Sequence, residues 1–485
     1  MKKLLFLFLC LTLTCAYTSA SGDDAALRDA LAAGRKLVLT ETDLPGGEEN
    51  LMPCSISPDG ATVLWRSAEG LILTREGTAI PVHAAPERGS GDPYGRLEAE
   101  VQTISFAFPS LEGVSWSPDG KFFTLSSQDT CLKRGTFMDL ILVDTANGEA
   151  FAVQSWDSAV RSDDFGTVVE ARFDATGAYI WFIGRIRAIA ENYGLFRYSM
   201  AENRTELVLE DIGISSARRM LFEDADGGWL IMAGSGMAGQ GDTYDTFLRY
   251  RPSADLLSRL FGGSSAVDRS VRRLKTGMMC AVQGGYSNES GYGLSLAFSK
   301  AAASQSSISR EPGYDSIMKI TMLFTMPRLN RITPEGIDLD RYWELAVDPK
   351  DPASMRLVET DPELVNLMTL HAARDISEEE WNRLIGYGED LAAADLPTLS
   401  CLCMSPGGHY AVLAAHTRGR QALYWLVDTV SMALYPVEIP DTLGPVYYGT
   451  DFGVQYRPGI EWNGDILLVY NSKESSVEAY RLEAK

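Results

Sequence analysis

Basic charge, histidine, paired cysteine and long apolar runs are what this chain has little of. Lysine and arginine number 43 against 65 aspartates and glutamates, giving a formal net charge of −22 over 485 residues. A body so acidic repels nucleic acid and anionic lipid surfaces. Its acids are spread along the chain, as a solvated surface requires, and are not gathered as cation ligands. Seven cysteines do not make a disulfide framework. Cys10 and Cys15 lie at the start, while Cys54, Cys131, Cys280, Cys401 and Cys403 are scattered, mostly in apolar strand contexts that suit small core residues. The four histidines are His83, His371, His409 and His416. Cys401, Cys403, His409 and His416 fall in one hairpin, but a tight turn carries His416 far along the return strand, so the spacing does not build a zinc site.

Recognisable catalytic constellations are missing too. A nucleophile elbow needs glycines flanking a serine on a strained strand-to-helix turn. The nearest match, Gly293-Leu294-Ser295-Leu296-Ala297, sits in apolar alternation of the β type. Asp224-Ala225-Asp226-Gly227 lacks the further carboxylates of a calcium loop and reads as a hairpin turn. No cofactor and no metal is expected.

What the chain does contain begins with Met1-Lys2-Lys3, an apolar run from Leu4 to Cys15, and small residues up to Ala20. This is the pattern of a secretory leader, residues 1–20, and the run is short for a membrane anchor. Losing Lys2 and Lys3 with it would take the net charge to −24. The location expected is secreted or cell-envelope-associated, in a bacterium, with no transmembrane segment in the mature chain.

The second feature is a phrase. Ser57-Pro58-Asp59-Gly60 recurs as Ser117-Pro118-Asp119-Gly120, each time between apolar β-rich runs. Proline presets φ, aspartate caps its own backbone and glycine accepts positive φ, so Asp59, Gly60, Asp119 and Gly120 are turn residues of hairpins. Weaker copies occur at Asp174-Ala175-Thr176-Gly177, Asp224–Gly227, Ser405-Pro406-Gly407-Gly408 and Asn463-Gly464. Each is trailed by a third strand, such as Leu140–Asp144 or Tyr424–Asp428, and most by a fourth, such as Glu206–Leu209. Four strands per unit, repeated, is the grammar of a propeller blade.

These phrases resemble the PD40 repeats of WD40-like β-propellers, the TolB type and the propeller domains of prolyl oligopeptidase relatives among them. The resemblance implies an all-β fold, a single β-propeller of four-stranded blades over residues 51–485. Seven blades are expected, with six and eight as the alternatives. Residues 21–50 form an N-terminal segment whose Lys36–Thr40 reads as a ring-closing strand that leaves no long edge exposed. Between residues 272 and 397 the repeat fades. There Gly284-Gly285, Gly293–Phe298 and Ile317–Ile320 supply one blade, and Ser377 with Glu380 at capping-box spacing marks a small helical insertion near 360–395.

Meander topology puts A–B and C–D turns on one face and B–C and D–A connections on the other. The long connections all fall on the second face, where a rigid scaffold usually carries its binding residues. Tyr94, Arg134, Trp156, Arg185, Arg187, Tyr193, Tyr244 and Arg310 lie there, and arginines and aromatics dominate recognition surfaces. The expected function is non-catalytic binding of an envelope or extracellular protein, peptide or glycan. A motif-poor extracellular hydrolase or lyase with its site at the central channel is the alternative.

Overall fold

The computed structural model describes residues 21–47, 51–68, 70–84, 114–126, 140–153, 168–185, 193–209, 216–223, 228–235, 244–251, 266–268, 274–275, 278–286, 293–299, 328–333, 336–337, 343–348, 351–359, 379, 398–416, 421–444, 450–451, 454–455, 460–471 and 476–485. A helix, α1 (Ser21–Ala32), and a strand, β1 (Leu37–Glu41), precede a succession of antiparallel sheets.

The 52–81 sheet runs Met52–Ile56, Thr62–Arg66, Leu71–Arg75, Thr78–Pro81. The 114–152 sheet runs Val114–Trp116, Phe122–Ser126, Leu140–Asp144, Glu149–Ala152, and His83–Ala84 adds to its outer edge in parallel. The 168–209 sheet has Val168–Phe173, Tyr179–Arg185, Tyr193–Ser199 and Arg204–Leu209. The 216–268 sheet has Ser216–Glu223, Trp229–Ser235, Tyr244–Arg251 and Ala266–Asp268. In the 278–359 sheet, Met278–Tyr286 and Gly293–Ser299 are followed by Arg328–Thr333, Trp343–Asp348 and Asp351–Glu359. The third strand here is Arg328–Thr333, which pairs beside Gly293–Ser299. Ile317–Ile320 and, apart from the helical Glu379, the segment 360–395 lie outside the described residues.

The last strands form one eight-stranded sheet with β1 at its middle. One half is Thr398–Met404, Tyr410–His416, Ala422–Asp428 and Leu434–Glu438, and the other is Ile460–Asn463, Ile466–Asn471 and Ser476–Ala484. Residues Leu37 to Glu41 pair antiparallel with Ala484 to Tyr480, and Leu37 and Val38 pair in parallel with Val437 and Glu438. The N-terminal strand thus ties two outer edges together and leaves neither open at that point.

Each sheet packs face to face on the next. Strand side chains alternate with period two, and here both faces are buried, so the strands read as near-continuous apolar runs. Leu64 packs towards Trp116, Phe123 and Ile141, while its neighbours Val63 and Trp65 pack towards Ile466 and Leu468. Ile180 and Phe182 meet Leu140 and Leu142, whereas Trp181 and Ile183 meet Leu221 and Trp229. In the return strand after the 405–408 turn, Ala411, Leu413 and Ala415 face Leu329 and Leu345, and Tyr410, Val412 and Ala414 face Trp462 and Leu467. The inner strand Met278–Tyr286 lies along Ser216–Glu223, and the last half packs on the first sheet. Successive sheets, each stacked on its neighbour and the last on the first, are a β-propeller, with the first strand of each sheet innermost.

Candidate functional site

The end of the molecule that carries the A–B turns is a connected hydrogen-bonded layer. In the 57–60 turn the Ser57 hydroxyl donates to Asp59 Oδ1 at 2.5 Å and accepts from the Thr62 amide at 2.9 Å, and Asp59 Oδ1 accepts from the Ala61 amide at 3.0 Å. The 117–120 turn repeats every bond: Ser117 to Asp119 at 2.8 Å, Lys121 N–H to Asp119 at 3.2 Å and Phe122 N–H to Ser117 at 2.9 Å. Gly60 and Gly120 take φ of +70° and +67°, a conformation that favours glycine. Burial pushes the Asp119 carboxyl up, but the bonds from Lys121 and Ser117 outweigh it and hold the group below its ordinary value. The 174–177 turn reaches the same geometry with the roles exchanged. Thr176 now donates to Asp174 at 2.9 Å, and the Tyr179 amide bonds Asp174 at 3.1 Å.

Neighbouring turns also touch. Gly120 faces Ser57 and Asp59, Gly177 faces Pro118, and Gly464 faces the Pro58 carbonyl. Polar side chains of the inner strands carry the linkage inward. Trp116 Nε1 donates to Ser55 Oγ at 2.8 Å, Ser55 in turn donates to Glu461 Oε1, and Asn463 Nδ2 donates to the Ile56 carbonyl at 2.9 Å. The Phe173 amide bonds Ser115 Oγ at 3.2 Å, and the Ala175 amide bonds Glu223 Oε2 at 2.6 Å. Each of these bonds crosses from one sheet to its neighbour.

Two carboxyls in this layer titrate far from their usual range. Burial pushes Glu461 up to about 8, against the pull of bonds from Ser55 and the Ile56 amide and of the Arg172 charge. Its second oxygen is buried without a hydrogen-bond partner among the described residues. Burial likewise raises Glu223 to about 7, offset in part by the Ala175 amide and helped by the nearby Asp174 charge. Sequence reasoning passed over both. A signal existed for Glu461: it stands between Ile460 and Trp462 on an innermost strand, where a lone acid must find a partner or keep its proton.

The opposite end carries the longer connections. On the B–C side, residues 127–139 separate Phe122–Ser126 from Leu140–Asp144, 186–192 separate Tyr179–Arg185 from Tyr193–Ser199, and 236–243 separate Trp229–Ser235 from Tyr244–Arg251. On the D–A side, 153–167 and 439–459 intervene between outer and inner strands. Of the sequence-derived candidates, Arg185 closes its strand and Tyr193 opens the next, and the two are direct register partners. Tyr244 opens the equivalent strand of the following sheet, in register with Lys275. The fold therefore gathers these three at the long-connection ends of two consecutive sheets. Tyr94, Arg134, Trp156, Arg187 and Arg310 lie outside the described residues.

The remaining chemistry-bearing residues are held as structure. Ser295 is mid-strand, paired on one side with Gly284 and on the other with Asn330, so it is not on an elbow. His409 sits in the turn while His416 pairs with Thr398 at the far end of the hairpin. No group of three or more His, Cys, Asp or Glu side chains placed to hold a metal occurs among the described residues. Burial pushes the Cys54 thiol up to about 12, opposed by the Arg66 charge, so it is not a nucleophile near neutrality.

No family model matches the chain, and no curated protein sequence is similar to it. Solved structures similar to it include the hydrazine synthase of Kuenenia stuttgartiensis, 12% identical over 92% of this chain and 98% of that one, with a TM-score of 0.43. An oligogalacturonate lyase in complex with manganese is 11% identical over 93% and 98% of the two chains, also with a TM-score of 0.43. TolB from Acinetobacter baumannii is 11% identical over 80% and 63%, with a TM-score of 0.34. The stacking of its own sheets and its repeated Ser-Pro-Asp-Gly turns make the chain a β-propeller, and TolB propellers are among the structures it is similar to.

Proposed function

We propose that this chain is an exported, non-catalytic propeller that binds a protein, peptide or glycan partner through the face of its B–C and D–A connections. The observation that carries the reading is the asymmetry between the two ends. The A–B turns spend their polar side chains on one another, and Ser57, Asp59, Ser117, Asp119, Asp174 and Thr176 are all hydrogen-bonded within their own turns. Chain length is invested at the other end, where Arg185, Tyr193 and Tyr244 stand at adjoining strand ends. The leader pattern supports export, and no helix among the described residues is long and apolar enough to cross a membrane. Arginines in a mouth on a body of net charge −22 would favour an anionic patch on the partner.

The second reading, an enzyme of the central channel, draws on the raised carboxyls Glu461 and Glu223. Their bonds argue against it: each carboxyl is engaged by the neighbouring sheet, as a tie between strands is. The test is affinity capture from envelope extracts and binding to glycan and peptide arrays. Three chains are compared: wild type, Arg185→Glu/Arg187→Glu, and Glu223→Gln. The reading expects a captured ligand that the double arginine variant loses and Glu223→Gln keeps. A ligand lost only with Glu223→Gln, or turned over by the wild type, would reject it.

A further inference from the structure

Three of the turns, 57–60, 117–120 and 174–177, solve one problem: a hydroxyl or carboxylate at the first position and its complement at the third close the loop with three hydrogen bonds. The 405–408 turn lacks the means to do so. Its sequence, Ser405-Pro406-Gly407-Gly408, has glycine where Asp59 and Asp119 stand in the intact phrase. Ser405 still accepts from the Tyr410 amide at 3.2 Å, as Ser57 does from Thr62. The missing acceptor comes from elsewhere. Asp24, on α1, accepts from the Ser405 hydroxyl at 3.1 Å and from the His409 amide at 3.0 Å, both on Oδ2. Those two donors correspond one for one to Ser57 Oγ and the Ala61 amide, the pair that Asp59 satisfies from within its own turn.

Gly407 is what admits the visitor. A Cβ built there would lie 2.2 Å from Asp24 Oδ2 and 2.6 Å from its Cγ. Glycine is not demanded by the backbone, because Gly407 is absent from the positive-φ residues whereas Gly408 takes +75°. An L-residue could adopt the conformation, and the space it would need is already held by a carboxylate. Asp24 is only 2% exposed, and α1 seats Leu27 and Leu31 on the same core that contains Tyr410 and Val412.

We propose that the Ser405–Tyr410 turn is a carboxylate-binding site whose ligand is built into the chain, and that α1 is the latch which delivers it. This copy of the repeat has no aspartate of its own, and the N-terminal helix supplies the group from 381 residues away. The latch is exchangeable in principle, because restoring the aspartate in place would complete the turn and expel the helix.

The test is a double-mutant cycle on the full chain, read by thermal unfolding and by hydrogen exchange of residues 21–32. Asp24→Ala is expected to lower the unfolding temperature by several degrees, since it strips two donors of their acceptor. Gly407→Asp is expected to close the turn in cis and to raise exchange in α1 by tenfold or more, on the order expected for a segment reduced to local opening. Asp24→Ala/Gly407→Asp is expected to recover at least half of the loss seen with Asp24→Ala. A double variant no more stable than Asp24→Ala, or one that fails to fold, would overturn the proposal. So would Gly407→Asp with α1 as protected as in the wild type.

Discussion

Glu461 is pushed towards its protonated form because it is buried, and the donors that reach one of its oxygens offset that only in part, the other having no partner among the described residues. An unfolded glutamate titrates near 4.5, and this one near 8. Between those values the folded chain binds a proton that the unfolded chain has released, so stability from this group is full below the lower value and declines as pH rises to the upper one. Glu223 adds a decline of the same sign between 4.5 and about 7. Glu461→Gln keeps the shape and an acceptor but cannot ionise. It should match the wild type at acid pH and exceed it above the upper value by several kcal/mol, with roughly 5 kcal/mol as the upper bound at about 1.4 kcal/mol per pH unit between the two values. Thermal unfolding across the window checks this, and parallel curves for the two chains would show that Glu461 does not titrate there.

At the scale of the element, the turn is a bond pattern that several sequences can write. In Ser57 and Asp59 the first position donates to the third; in Asp174 and Thr176 the third donates to the first. Replacing Asp174 alone with Ser leaves two hydroxyls and no carboxylate, and replacing Thr176 alone with Asp sets two carboxylates against each other. Each single change should cost about 1 kcal/mol or more, and the pair Asp174→Ser/Thr176→Asp should return to within about 0.5 kcal/mol of the wild type. Additive losses in chemical denaturation would refute the equivalence. This pattern also explains what could be read in advance. The 57–60 and 117–120 turns were legible because donor, acceptor and glycine lie within four consecutive residues. Helix α1 was not, since its reason for docking is an aspartate missing from position 407, and a gap becomes a signal only once Asp24 is beside it. Arg328–Thr333 was passed over in the sequence, where nothing local marks it as the neighbour of Gly293–Ser299, and the pairing of Leu296 with Leu329 identifies it. Arg185 and Tyr193 were singled out as loop residues, and the register made them direct neighbours. Glu461 was one acid among 65, and its one local signal, the apolar Ile460 and Trp462 on either side, becomes decisive only once the strand is known to be innermost.

For the whole molecule, the decisive element is the five-residue strand β1. It is held on both sides, by Ser476–Ala484 and Leu434–Glu438, and it seats Leu37 and Leu39, each 2% exposed, in the core between those two outer edges. Without it, two outer strands would present unpaired N–H and C=O groups beside an uncovered apolar layer, which is a template for another chain. Leu37→Arg/Leu39→Arg places two charges in an apolar core and should prevent the strand from seating. The expected product is a chain whose internal sheets persist but which self-associates, seen as loss of the monomer by light scattering with most of the β-sheet circular dichroism retained. Because the acceptor groove would survive, a synthetic peptide of residues 36–41 should restore the monomer by adding as a strand from outside. A variant that remains monomeric at the wild-type unfolding temperature would mean that the ring is closed by sheet packing alone. One that dimerises and ignores the peptide would mean that the lost edge had collapsed. Rescue by the peptide would separate closure of the ring, which needs only backbone pairing and two leucines, from the latch on the 405–408 turn, which needs a carboxylate.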